Sequence, residues 1–157
     1  MAPTLLFDLA GLDLSTTVYD AADIEAVNPH RGVMRLIDGV LYESDDRVDY
    51  IAYRDVRHDE FWVEGHIPGR PIFPGVLMIE AAAQLSSFLT LKKLGDEAFM
   101  GFAGVDEVKF RGQVKPGDRL LLLCHELEHR RRRSVCRSQG VVDGRLVFEA
   151  KIQGMPM

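Results

Sequence analysis

Two periodicities of apolar residues alternate along the chain, and their order outlines the fold. Residues 20–27 (DAADIEAV) read as a short helix that stops at Asn28-Pro29, because the residue before a proline disfavours helical geometry. Residues 33–43 and 47–54 are β-rich runs joined at Ser44-Asp45-Asp46, and they read as a hairpin. From 75 to 91 the pattern changes: GVLMIEAAAQLSSFLTL is rich in Ala, Leu and Met, has no proline or internal glycine, and is apolar on nearly every face. Such a segment predicts a buried helix. Pro74 fits its first turn, where a missing N–H removes no bond. Strand-like runs follow at 100–110, 119–129, 134–142 and 146–153, the last two separated by Asp143-Gly144, a hairpin turn signal. One long apolar helix amid five or six antiparallel strands predicts an α+β domain whose curved sheet wraps around the helix.

Composition narrows the function more than the fold. The 157 residues suit one domain, and no repeat, low-complexity tract or linker divides them. The formal charge of −5 argues against a general nucleic-acid binder, which normally carries a basic excess. Basic residues are nevertheless uneven. Arg130, Arg131, Arg132 and Arg133 form a run, and Lys109, Arg111, Lys115 and Arg119 lie close together. Either group fits a patch for an acidic partner or an ordinary solvated strand end. The opening MAPTLLFDLAGLDLS has no basic leader and places Asp8 and Asp13 among apolar residues, and no stretch approaches the roughly 18 apolar residues of a membrane-spanning helix. A cytoplasmic protein without integral membrane association is expected. Cys124 and Cys136 lack metal-site spacing and fall in apolar strand-like runs, so they are expected to be reduced core residues.

The chemistry concentrates in residues 65–84, GHIPGRPIFPGVLMIEAAAQ. Glu80 sits among Val76, Leu77, Met78, Ile79, Ala81, Ala82 and Ala83. A carboxylate there either has a strong partner or stays protonated, and a protonated carboxyl is what a general acid requires. Gln84, one turn later on the same face, can orient it. His66 precedes Pro68, Pro71 and Pro74, whose fixed φ angles limit backbone movement and suit a base held in place. Taken singly, His66 also reads as a surface or satisfied core histidine, and Glu80 as a structural carboxylate paired with a cation.

Together these residues resemble the active-site segment of the FabZ-type 3-hydroxyacyl-(acyl carrier protein) dehydratases, G-H-[FI]-P-x-x-P-[IV]-x-P-G-V-L-x-x-E-[AS]-x-A-Q, at nearly every fixed position. Pro29-His30-Arg31 resembles the family's N-terminal Pro-His-Arg, and GVDEVKFRGQVKPGDRL (104–120) resembles a second family segment. The likeness runs from about residue 23 to the C-terminus and leaves residues 1–20 as an N-terminal extension of the single domain 1–157. It implies a hot-dog fold, a homodimer that often assembles further as a trimer of dimers, and no cofactor or metal. It implies that His66 and Glu80 are the catalytic pair, contributed to each site by different chains, and that Gly75 is the backbone donor to the thioester carbonyl.

The expected reaction is dehydration of 3-hydroxyacyl thioesters to trans-2-enoyl thioesters in fatty acid biosynthesis. Elimination needs a base for the C2 proton, an acid for the leaving hydroxyl and a donor for the enolate-like oxygen. Phe73, Pro74, Val76 and Gln84 are the expected substrate wall, and Lys109, Arg111, Lys115 and Arg119 the expected docking rim for the acyl carrier protein. Glu80 stands where the related dehydratase/isomerases carry Asp, which favours plain dehydration. Departures from the family pattern fall at Phe73, in place of the usual methionine, and at Gly112-Gln113, and they bear on acyl preference and carrier contacts. Two alternatives share the fold: another hot-dog enzyme, such as a coenzyme A-linked enoyl hydratase or a thioesterase, and a non-catalytic acyl-binding subunit.

Overall fold

The apolar segment that begins at Gly75 becomes the axis of the structure. A computed structural model describes residues 3–95 and 98–157. Its elements are helix α1 (Ala21–Val27), strands β1 (Gly39–Glu43) and β2 (Asp49–Asp55), helix α2 (Gly75–Leu94), and strands β3 (Met100–Phe110), β4 (Arg119–Arg130), β5 (Arg133–Val142) and β6 (Arg145–Pro156). The strands form one antiparallel sheet in the order β1-β2-β4-β5-β6-β3. α2 lies across it, mainly against β4, β5 and β6.

Local chemistry accounts for the element ends. Asp20 caps α1 in a capping box with Asp23, and Asn28 leaves the helix in extended geometry ahead of Pro29. Asp143 and Gly144 both take positive φ (47° and 73°), the pairing that a tight two-residue hairpin needs. Gly95 ends α2 at φ 90°. The core between sheet and helix is filled by Tyr50, Phe88, Phe148, Leu85, Leu89 and Leu122, all fully buried. Two of the hydroxyls that α2 carries inward have partners: Ser86 donates to the Ala82 carbonyl, and Thr90 bonds Ser134 across to β5. Cys124 and Cys136 are free and buried, as expected.

Two features depart from the sequence pattern, and a third concerns the extension that the pattern left unassigned. Residues 33–38 do not extend β1: Gly32–Met34 form a 3-10 turn, and this segment is fastened to α2 because Gln84 accepts from the Leu36 N–H and donates to the Met34 carbonyl. Pro74 is the residue that caps α2 rather than part of its first turn, with φ −59° and ψ 130°. The N-terminal extension is packed onto the protein: Leu5, Leu6, Phe7, Leu9, Leu12 and Leu14 cover a second apolar cluster at Ile51, Leu123 and Val141. Gln139 pins it through bonds with the Leu6 N–H and the Thr4 carbonyl.

Candidate active site

The loop between β2 and α2 is held from below by a buried charge cluster. Arg54, whose side chain is 5% exposed, lies 3.0 Å from both Asp38 and Glu60. Glu60 also accepts from the Trp62 indole (2.8 Å) and from the Arg57 N–H (2.9 Å). Buried charges are tolerated when paired and hydrogen-bonded in this way. Trp62 in turn packs edge-on against Phe73, with ring centroids 5.4 Å apart, and its carbonyl accepts from the His66 N–H (2.7 Å).

His66 therefore rises from a fixed base. Its Nδ1 is 2.7 Å from the Ile72 carbonyl, a group that can only accept, so Nδ1 carries the proton and Nε2 presents a lone pair. That is the tautomer a general base needs. Ile67, the next residue, sits at φ 61°. A β-branched residue in that region costs about 1–3 kcal/mol and persists only where its surroundings impose it.

Gly75 opens α2, so its N–H lies among the unpaired donors at the helix's positive end. The Phe110 ring lies against Gly75, and a Cβ at this position would come within 2.8 Å of that ring and push it aside. Val76 next to Gly75 is 70% exposed, whereas Phe73 and Pro74 are buried. Of the four expected substrate-wall residues, Val76 thus faces outward and Gln84 borders the Glu80 cavity, while Phe73 packs in the core.

Glu80, one and a half turns into α2, borders a cavity of about 70 Å3 together with His30, Gln84, Ser87, Phe102 and Ser134. Gln84 donates to Glu80 Oε1 at 2.9 Å, as its spacing along the helix predicts. On the other side His30 Nε2 lies 3.5 Å from the same Oε1. His30 is presented by a tightly fastened turn: Arg31 donates to the carbonyls of Glu25, Asn28 and His30, and Asn28 donates to the Gln84 carbonyl. Burial lowers the pKa of His30 below its usual 6.5; the charge of Glu80 opposes the shift and that of Arg31 adds to it. His30 was not singled out among the expected site residues, although the Pro-His-Arg motif carried the signal.

His66 is not among the residues that line the Glu80 cavity. The cavity instead reaches Met100, Gly101 and Phe102 at the start of β3, which among the described residues pairs only with β6 and leaves its other edge open. Of the expected docking residues, Lys109 and Arg111 both reach Glu149, and Arg119 forms a two-pronged pair with Asp55. Among the described residues, Lys115 has no ion-pair partner. Arg130 to Arg133 form the exposed β4–β5 turn, where Glu128 is the acidic neighbour of Arg130 and Arg133. No group of three or more His, Cys, Asp or Glu side chains capable of holding a metal occurs among the described residues.

Comparison with known proteins places these groups in context. The model of a family described as the FabA-like domain matches residues 28–151. A 3-hydroxyacyl-[acyl-carrier-protein] dehydratase FabZ of Campylobacter hominis is 37% identical over 144 residues, covering 89% of this chain and 99% of that protein. One from Streptococcus pyogenes is 40% identical over 128 residues, covering 81% and 91%. Among solved structures, the dehydratase heterocomplex ApeI:P of Xenorhabdus doucetiae superposes with TM-score 0.73 at 15% identity, over 85% of this chain and 90% of that one. A hypothetical thioesterase with coenzyme A from Streptococcus pneumoniae superposes with TM-score 0.59 at 13% identity, over 75% and 84%. Likenesses at such low identity establish the hot-dog fold alone.

Proposed function

Because the chain belongs to the FabA-like domain family, we propose that it is a hydro-lyase that converts 3-hydroxyacyl-(acyl carrier protein) thioesters to trans-2-enoyl thioesters in fatty acid synthesis. The observation that carries the catalytic assignment is the His66–Ile72 hydrogen bond, which leaves Nε2 basic on the same short segment that supplies Glu80. His66 Nε2 removes a proton from C2. The thioester oxygen takes up the developing charge and is met by the Gly75 N–H at the positive end of α2. Glu80 gives its proton to the C3 hydroxyl, the C3–O bond breaks with its electron pair leaving in water, and the C2=C3 bond forms. No step calls for a metal or redox group.

The site is shared between two copies of the chain. A cavity of about 70 Å3 at Glu80 is small beside the roughly 300–1,000 Å3 of ordinary ligand pockets, and His66 does not reach it. The open edge of β3, with Phe102 and Phe110 half exposed, offers the surface on which a two-fold partner brings its own His66 to this Glu80. Lys109 and Arg111 flank Phe110, whose ring covers Gly75, so the basic rim lies beside the expected entrance for an acidic carrier protein.

The direct test is mass spectrometry of a 3-hydroxyacyl carrier protein after incubation with the enzyme. Loss of one water with the thioester intact is expected, and release of a free carrier thiol would refute the assignment. For the shared site, His66→Ala and Glu80→Gln proteins, each inactive alone, are unfolded and refolded together in equal amounts. Random pairing makes about half of the dimers mixed, each with one intact site, so about a quarter of wild-type activity returns. A mixture shown to contain mixed dimers yet still inactive would rule out the two-chain site.

A further inference from the structure

Glu80 has two oxygens, and the protein treats them differently. Oε1 is approached from one side by Gln84 Nε2 at 2.9 Å and from the other by His30 Nε2 at 3.5 Å. Oε2 has no hydrogen-bond partner among the described residues, and it is not one of the buried polar atoms left unpaired. The two approaching groups are themselves immobilised. Gln84 spends its remaining bonds on the backbone of residues 34 and 36, and the turn that carries His30 is tied down by Arg31 and Asn28.

The protonation of His30 follows from its surroundings. Its ring is mostly buried, with Glu80 the acidic group and Arg31 the cationic group that act on it, and burial keeps it neutral at neutral pH. A neutral imidazole has one N–H. Nδ1 is buried without a partner among the described residues, and a buried bare lone pair is less costly than a buried unpaired N–H. The proton therefore belongs on Nε2, facing Glu80 Oε1. At 3.5 Å the two groups are in ion-pair range but not yet hydrogen-bonded, and catalytic contacts often tighten into hydrogen bonds only when substrate closes the site.

Resting on the acid role proposed for Glu80, we infer that His30 is a positioning residue for the acid: when substrate closes the site, His30 joins Gln84 in donating to Oε1, which fixes the transferable proton on Oε2. The hydroxyl oxygen of a carboxylic acid is a poorer acceptor than its carbonyl oxygen, so the oxygen that receives both N–H donors stays carbonyl-like and Oε2–H is left for the substrate hydroxyl. In the elimination, Oε2–H passes its proton to the C3 oxygen as the C3–O bond breaks, and the carboxylate charge that appears on Glu80 is met at once by the same two donors. His30 touches neither the C2 proton nor the thioester. Its contribution is to the chemical step, not to substrate binding.

The experiment compares wild type, His30→Phe, His30→Gln and Glu80→Gln as purified full-length proteins on a 3-hydroxybutyryl thioester of N-acetylcysteamine, with thermal unfolding of each as the check on folding. Phe fills the volume of the imidazole without a donor, and Gln restores an N–H. His30→Phe is expected to lose about tenfold in kcat with KM within about twofold, a fraction of the ~100-fold or more that general acid catalysis supplies. His30→Gln is expected to recover most of that loss, which a filler of space could not do. Unchanged kcat in His30→Phe beside an inactive Glu80→Gln would overturn the positioning role and leave the acid assignment standing. So would equal losses in His30→Phe and His30→Gln. Near-normal turnover by folded Glu80→Gln would overturn both.

Discussion

Replacing Glu60 with Leu tests whether the buried charge cluster, and not the sheet alone, holds the loop that carries His66. The Glu60 side chain is 2% exposed, and it meets the Arg54 guanidinium at 3.0 Å, the Trp62 indole N–H at 2.8 Å and the Arg57 N–H at 2.9 Å. Leu leaves Arg54 with Asp38 as its remaining carboxylate partner and strands two N–H donors. Breaking a buried pair by removing one partner costs about 3–5 kcal/mol, a range that already contains the unpaired donors. Against a stability of about 5–15 kcal/mol that loss is large, and it lowers Tm by roughly 6–20 °C for a domain of this size. Glu60→Gln keeps an acceptor for the indole but not the charge, and should fall between wild type and Leu. The assay is urea unfolding at one protein concentration, followed by far-UV circular dichroism and by fluorescence. Trp62 is the only tryptophan, so its emission reports the loop itself. Because the His66 N–H is bonded to the Trp62 carbonyl, kcat should fall in both variants under conditions where they remain folded. A Glu60→Leu protein within about 1 kcal/mol of wild type, with unchanged kcat, would show that the cluster does not hold the loop.

Two further outcomes follow from particular contacts. Gly75→Ala should destabilise by about 1–3 kcal/mol, because its Cβ would come within 2.8 Å of the Phe110 ring, and Phe110→Leu in the same chain should return part of the loss in thermal unfolding. Burial works against the charge of Glu43, yet hydrogen bonds from Lys92, Tyr50 and Tyr19 prevail and hold its pKa below the usual 4.5. A carboxyl lowered on folding adds stability that is complete above its unfolded pKa and is lost as pH falls through its folded one. Wild type should therefore lose stability as pH falls below about 4.5, and Glu43→Gln, measured by urea unfolding across that range, should show a shallower slope; an unchanged slope would refute the pairing.

What could be read from the sequence was whatever depends on neighbours along the chain. The buried helix from Gly75, the four strands after it and the Asp143-Gly144 turn all appear where periodicity and turn chemistry put them, because side-chain spacing and allowed φ values are local properties. The Glu80–Gln84 bond belongs to the same class, since four residues make one helical turn. Tertiary structure decided the rest. Residues 33–38 have the composition of a strand, yet Gln84, about fifty positions away, claims their backbone groups, and no local pattern records that competition. Phe73 neighbours the expected reacting centre in sequence but turns into the core because Trp62, held by Glu60, offers its ring a partner there. The basic residues at 109, 111 and 119 form a group in sequence, while Glu149 and Asp55, brought beside them by strand pairing, take up much of their charge. His30 lay in a recognisable motif, but only the folding of that turn against α2 set its ring beside the carboxyl of Glu80.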